Sequence, residues 1–557
     1  MRFVLLLIAA ASVAEAQFSI LATDASASHV RFTGGTLRND PSGPQAGLYE
    51  WSAGVAGLVP AATGPAGYGG FLRPALSDGG EVMAWTLENP NWWLSNPIGG
   101  PGYAWTAHYY GMVENRNGQR WGRAGKVELS RNGRWAWFAA EAKNIPGAAE
   151  GLVPAAAVDL WTGQEFPASG ILPFSVADDG TAIVTTGSGS IALLKPGGSP
   201  EYLPLSIAYS NQISMDRYAR LATSFSTDLT HKLPVLTLLD VATKTRQVLA
   251  ESCDTCGEPS ISGEGTRVLI TAKSINGIEN PGGRVGAWIY DIETATWRRI
   301  SDPEEEVLAA ALSADGSKAV LASDRARILS IDLSTQDSIE LVPDTPFMQG
   351  VDGSLVPGSK VTITGYGLKD AALTVSGRPV APLVNENKRV EFVVPEDAPE
   401  GPGELVADQP ESPFAAVTFR MEVKRNDPTF IVLRNLGFTL WYQALKPFVE
   451  NGTRGGLVAE GNPAFAGEEL WIWMRGISAP DEVQIQMATG FQGPYEPVQP
   501  LVIDRVMEWP GWQRVRMRAP ALAGTDRFYL HVAGADNIDS LRNIQVYVAP
   551  APTGGAN

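Results

Sequence analysis

The segment Leu312-Ser313-Ala314-Asp315-Gly316 sets an apolar residue and a serine ahead of an Asp-Gly turn, and the β-rich run Lys318 to Ser323 follows at once. The same arrangement stands at Ile261-Ser262-Gly263-Glu264-Gly265, Leu129-Ser130-Arg131-Asn132-Gly133 and Val176-Ala177-Asp178-Asp179-Gly180. Leu76-Ser77-Asp78-Gly79-Gly80 and Ile213-Ser214-Met215-Asp216-Arg217 are looser copies. The small residues fall at 77, 130, 177, 214, 262 and 313, so the intervals run from 37 to 53 residues. A β run follows each copy: Glu81 to Thr86, Arg134 to Ala140, Thr181 to Thr186, Tyr218 to Phe225, Thr266 to Thr271 and Lys318 to Ser323. Next comes an apolar strand closing on Asp and a Thr-, Lys- or Gly-rich turn, as in Val235 to Asp240 and Trp288 to Asp291.

A degenerate first copy fits at the start, with His29 to Thr33 as inner strand and Gly47 to Trp51 in the outer hairpin. Seven units then lie between Gln17 and about Pro343. A period of 40–50 residues with about four strands per unit predicts a closed ring of blades, because each blade buries its faces only against its neighbours. The expected fold class is all-β: a seven-bladed β-propeller over 17–345, followed by two C-terminal Ig-like β-sandwich modules. The S-x-D-G turns resemble those that open the blades of TolB-type and WD-repeat-like propellers. That resemblance implies the fold and leaves function open. Sialidase-type Asp boxes need a different spacing, since Gly here follows the acidic residue directly. Ala157 to Gly163 resembles one docking repeat of quinone-dependent dehydrogenases without its final Trp, and an Asp-Thr-Gly hairpin turn explains it better.

Beyond Pro343 the pattern changes. Val356-Pro357-Gly358 leads into Ser359 to Leu368, with Gly365-Tyr366-Gly367 at the bend, and Val390 to Pro395 and Ala398 to Gly401 follow. This resembles an IPT/TIG immunoglobulin-like domain and implies a sandwich module over 346–425. Asn462 to Trp473 repeats the opening, and Val515 to Gly524 repeats the strand-Pro-Gly ending, so a second β-sandwich module is expected over 426–549 with a tail at 550–557. Trp471 and Trp473 depart from the small or aliphatic residues usual there. Residues 346–549 together resemble a paired C-terminal region of large secreted proteins of Gram-negative bacteria, with 444–462 as the linking portion. No general activity is implied by it.

Residues 1–16 read as a signal peptide: Arg2, the apolar run Phe3 to Ala11, and the A-x-A site Ala14-Glu15-Ala16, with a mature chain from Gln17. The run is too short to span a bilayer, and no transmembrane segment is expected. A secreted or periplasmic location follows. The formal net charge is -17, with no Lys/Arg cluster, which disfavours nucleic acid as a partner. Fifty-nine glycines and 40 prolines against 18% charged residues suit a turn-rich β chain.

Catalytic signals are sparse. The four histidines, His29, His108, His231 and His531, show no metal-ligand spacing, and no metal or cofactor is expected. Neither a nucleophile elbow nor a phosphate loop is present. Glu50, Asp159, Asp240, Asp291 and Asp332 stand at strand ends, where accepting backbone N–H bonds is the expected role. Cys253 and Cys256, the only cysteines, suit a local disulfide in an exported chain, with redox and metal roles as alternatives. The aromatic segment 85–137 holds the candidate ligand-binding residues Trp92, Trp93, Tyr103, Trp105 and Tyr109, while Trp135 and Trp137, two apart, are expected in the core. Trp92-Trp93 sits in a Pro/Asn loop that either binds a ligand or folds back as a cap. The expected function is an exported binding or scaffolding protein presenting propeller loops to a protein or carbohydrate partner, and no catalytic motif is found that decides whether it is an enzyme. The alternative is a carbohydrate-active hydrolase or lyase using carboxylates in the propeller funnel.

Overall fold

The computed structural model describes residues 21–34, 47–53, 59–62, 69–88, 109–115, 117–139, 155–168, 171–186, 190–205, 213–227, 234–430, 432–433, 446–490, 494–498, 502–506, 509–522, 526–533 and 543–550. Among these the chain is nearly all β, with two short 3₁₀ turns at Pro281–Gly283 and Pro480–Glu482 and no α-helix. The proposed leader, 1–16, lies outside the described residues. Two compact units emerge: the described residues up to Thr345 together with Pro410–Ala415, and those of Pro346–Gln409 together with Ala416 onward.

The described residues of the first unit form seven four-stranded antiparallel sheets, each contiguous in sequence apart from a small hairpin inserted in the sixth. We number them I to VII. Their first strands are Leu21–Thr23, Gly69–Leu76, Val127–Leu129, Leu172–Val176, Ile213–Met215, Ser260–Ile261 and Val307–Leu312. Successive first strands are neighbours, and the strand of sheet VII returns to that of sheet I, so the circuit is closed. In sheet III the middle strands Trp135–Phe138 and Ala155–Asp159 are buried at every position, because both faces are covered. Outer strands such as Gln164–Ala168 and Glu201–Tyr202 are largely exposed.

Each repeat turn joins a first strand to a second strand. Where the turn has a serine it is buried and accepts backbone N–H bonds from the residues that follow: Ser77 from Glu81 and Val82, Ser262 from Thr266 and Arg267, Ser313 from Lys318; sheet IV has Ala177 at this position. The acidic or amide residue closes the turn two residues on, as Asp315 Oδ1 does with Ser317 N at 2.9 Å. Gly133, Gly180, Gly265 and Gly316 occupy the left-handed position that follows, with φ between 70° and 88°.

Two registers differ from the sequence reading. In sheet V the serine position is taken by Asp216, whose carboxylate accepts the N–H groups of Arg220 and Leu221, so the fifth copy is displaced by two residues from Ser214. In sheet I the turn starts at Asp24, which accepts Ser28 N at 2.7 Å, and His29–Gly34 is therefore the second strand. The inner strand is Leu21–Thr23. A carboxylate does the serine's work in both turns, which hid the pattern.

Sheet I has an aromatic supplement from far along the chain. Phe414, in the returning segment Pro410–Ala415, meets Tyr49 edge-on at 5.3 Å and Phe32 at 6.4 Å. Thr345 and Ser412 share a buried hydroxyl bond of 2.8 Å beside it.

The second unit holds two cores. Sheets Phe347–Asp352/Lys360–Tyr366/Arg389–Val393/Pro382–Asn385 and Arg378–Pro379/Ala372–Val375/Gly401–Asp408/Val417–Val423 enclose Val361, Ile363, Phe392 and Leu405. Two five-stranded sheets, centred on Glu469–Ile477 and Arg527–Val532, enclose Leu470, Ile472, Val515, Phe528 and Leu530. Ser359 Oγ accepts Gly476 N at 2.8 Å, joining the two cores. Gly476 has φ +82° and an added Cβ would lie 2.1 Å from Asp427 O, so no larger residue fits there.

Candidate functional site

The repeat turns hydrogen-bond to one another around the ring. Ala25 N donates to Asp78 O, Asp78 N to Arg131 O, and Asn132 N to the Asp178 carboxylate. Asp178 N donates to Arg217 O, Arg217 N to Gly263 O, Gly263 N to Ala314 O, and Asp315 N back to Ala25 O. Every sheet of the seven contributes, so the turn end of the ring is tied into one loop of bonds.

Charged side chains fill the space inside that loop. Arg217 of sheet V reaches Asp78 of sheet II at 2.8 Å, Asp178 of sheet IV at 2.7 Å and Glu264 of sheet VI at 3.4 Å. Arg131 of sheet III donates to Ile261 O of sheet VI at 2.8 Å. Gly263 lies against it, and a Cβ there would stand 3.1 Å from Arg131 Cδ. Burial lowers the Arg131 pKa most, with Asp78 opposing. Burial also holds the Asp78 carboxyl above its ordinary value, against the pull of Arg217 and Arg131. A glycosidase keeps its two carboxyls about 5–9.5 Å apart with the sugar between them. Here one guanidinium sits between Asp78 and Asp178 and engages both.

A second polar place is a cleft of about 530 Å³ between sheets I and II, lined by His29, Arg31, Glu50, Glu81, Met83 and Glu114 among others. His29 Nδ1 lies 2.6 Å from Glu50 Oε1 and 3.0 Å from Ser52 Oγ, while Arg31 pairs with Glu50 Oε2 at 2.6 Å. Acid and hydroxyl meet the same ring nitrogen. A proton relay needs them on opposite nitrogens, so this trio is not a nucleophile-activating triad. Burial raises the Glu50 pKa, and Arg31, His29 and Ser52 together outweigh it, leaving the carboxyl below its usual range. Glu50 thus bonds side chains rather than turn amides, unlike the other strand-end acids. Asp159, Asp240, Asp291 and Asp332 each accept backbone N–H bonds from the turn that follows.

Trp92, Trp93, Tyr103, Trp105 and His108 lie outside the described residues. Tyr109 opens the third strand of sheet II, with its backbone opposite Glu88. Trp135 and Trp137 are buried, with Trp137 Nε1 donating to Gly180 O at 2.8 Å. Cys253 and Cys256 stand at disulfide distance with Cα atoms 6.0 Å apart. Cys253 is buried and pairs with Ile275 in the small three-stranded sheet inserted beside sheet VI. Among the described residues no group of three His, Cys, Asp or Glu is placed to hold a metal, and no helix is long and apolar enough to cross a membrane.

No protein-family model matches the sequence, and a comparison with curated proteins finds no relative. Solved structures similar to this chain are β-propellers. The propeller domain of the Trilobed protease from Pyrococcus furiosus is 12% identical, covers 59% of this chain and 97% of its own, and has a TM-score of 0.41. TolB from Acinetobacter baumannii is 12% identical, covers 68% of this chain and 76% of its own, and has a TM-score of 0.28.

Proposed function

We propose that residues 17–345 form a seven-bladed β-propeller, that 346–425 and 426–549 are Ig-like modules, the first of IPT/TIG type, and that the chain is exported. Its function is binding or scaffolding. The partner, a glycan or a protein, meets the end of the ring opposite the repeat turns. The observation that supports this most is the ion-paired filling of the turn end: the carboxylates a hydrolase would use there are paired with Arg217. In an antiparallel meander the second-to-third-strand connections leave from the other end, and the longest in sequence, between Glu88 and Tyr109, carries Trp92 and Trp93. Loops on a rigid scaffold are where binding residues concentrate.

Trp92→Ala/Trp93→Ala should weaken binding in a glycan array and cross-linking to an envelope protein about tenfold or more, with little loss of thermal stability. A double variant that melts many degrees lower sinks the site claim. Polysaccharide cleavage abolished by Asp78→Asn in a folded protein would replace binding with the hydrolase reading.

A further inference from the structure

The second C-terminal core carries an aromatic stack on its outer side. Along Glu469–Ile477 the side chains of Leu470, Ile472 and Met474 enter the core, so Trp471 and Trp473 stand on the opposite face. Phe448 adjoins this face, its carbonyl accepting Trp473 N at 3.2 Å. The turn at Trp509–Trp512 returns over them. Trp509 stacks on Trp473 at 4.7 Å and 19°, and on Phe448 at 5.5 Å and 13°. Trp512 stands across the stack, 4.9 Å from Trp509 at 65°. Trp473 is only 4% exposed, whereas Trp509 is 38% exposed.

We infer that Trp509 is the stacking platform of a separate ligand site, for a pyranose ring of a neutral polysaccharide. The three near-parallel rings fix the plane of the outermost indole, so little order is lost when a flat ligand lands on it. A hexose has an apolar C–H face that suits an aromatic plate and a hydroxyl rim that needs hydrogen-bonding neighbours. Those neighbours lie in register: Trp473, Arg514 and Asp504 form one row across three strands, and Arg514 pairs with Asp504 at 3.3 Å. The exposed apolar groups on this face are the Trp509 indole and the small Val502 side chain, two residues from Asp504, and charge borders them. A stable protein interface needs roughly 800 Å² from each partner, far more than one ring and one small side chain offer. A net charge of -17 disfavours polyanionic glycans, which leaves neutral chains.

The test is affinity electrophoresis of the full chain through gels containing laminarin, galactomannan or glycogen. At least one should retard the wild type and shift its tryptophan emission. Trp509→Ala should lower that affinity about tenfold. Trp509→Leu keeps an apolar cover over Trp473 without a flat ring, and should melt close to wild type while binding as poorly as the Ala variant. Trp92→Ala/Trp93→Ala should leave the retardation intact, which separates this site from the one on the ring. Three outcomes overturn the inference: no retardation in any gel, a Leu variant that binds normally, or retardation lost only in the Trp92/Trp93 variant. A Trp509-dependent change in oligomeric state without saccharide binding also overturns it, in favour of a protein contact.

Discussion

Arg217 holds three carboxylates from three sheets. Its removal leaves Asp78 and Asp178 half-buried beside each other without their shared cation. Breaking a buried pair by deleting one partner costs about 3–5 kcal/mol, and the partial exposure of this cluster brings the expected loss to about 2–3 kcal/mol. Arg217→Met, which keeps the apolar stem, should show that loss in urea unfolding. Adding Asp78→Asn should recover part of it, because one of the facing charges is then gone. A single variant as stable as wild type would mean that water screens the cluster fully. Asp159, Asp240, Asp291 and Asp332 were legible as turn acids because the backbone N–H groups they accept lie within three residues, whereas Glu50 was misread because its partners His29 and Arg31 lie on the neighbouring strand. The partners of Arg217 were not legible, since Asp78 and Glu264 lie far from it along the chain and only ring closure brings them together.

At the scale of elements, the outer hairpins of sheets III, V, VI and VII use the same device. Asp332 accepts Ser334 Oγ and the N–H groups of Ser334 and Thr335, and these bonds lower its pKa from 3.8 to about 2. Asp240 and Asp291 are lowered too, chiefly by the amides of Thr243 and Thr294. As pH falls, the unfolded chain takes up these protons before the folded one does. The stabilisation is therefore complete above about pH 4 and is lost as pH falls through about 2. Asp332→Asn should lower stability at neutral pH, leave it nearly unchanged below about pH 2, and so flatten the acid limb between about pH 4 and 2. An unaltered acid limb would show that this hairpin opens before it titrates. These turns announced themselves through Asp followed by Thr, Lys or Ser. The Trp473–Trp509 stack did not, because a strand at 469–477 and a turn at 509–512 meet only through sheet pairing. The alternation Trp471-Ile472-Trp473 was the available hint: two indoles on one face with an aliphatic core residue between them.

At the scale of the molecule, the repeat carried no signal for how the ring shuts. Among the described residues no sheet of the ring mixes strands from its two ends; closure rests on the packing of Leu21–Thr23 beside Val307–Leu312 and on the Asp315 N to Ala25 O bond. A ring tied this way has no independent weak blade. Deleting residues through Asp24 should lower the melting temperature by about 10 °C or more and broaden the transition across sheets II to VII, as followed by hydrogen exchange. Loss of protection confined to sheet I would show that the circuit is not cooperative. Sheet I is also the sheet that Phe414 completes. A nascent chain lays down Phe32 and Tyr49 almost at once and Phe414 nearly four hundred residues later, at about 5–20 residues per second. The earliest-made sheet is thus among the last to be finished, and for tens of seconds of synthesis its aromatic pair must be shielded by something other than the residue that will finally cover it.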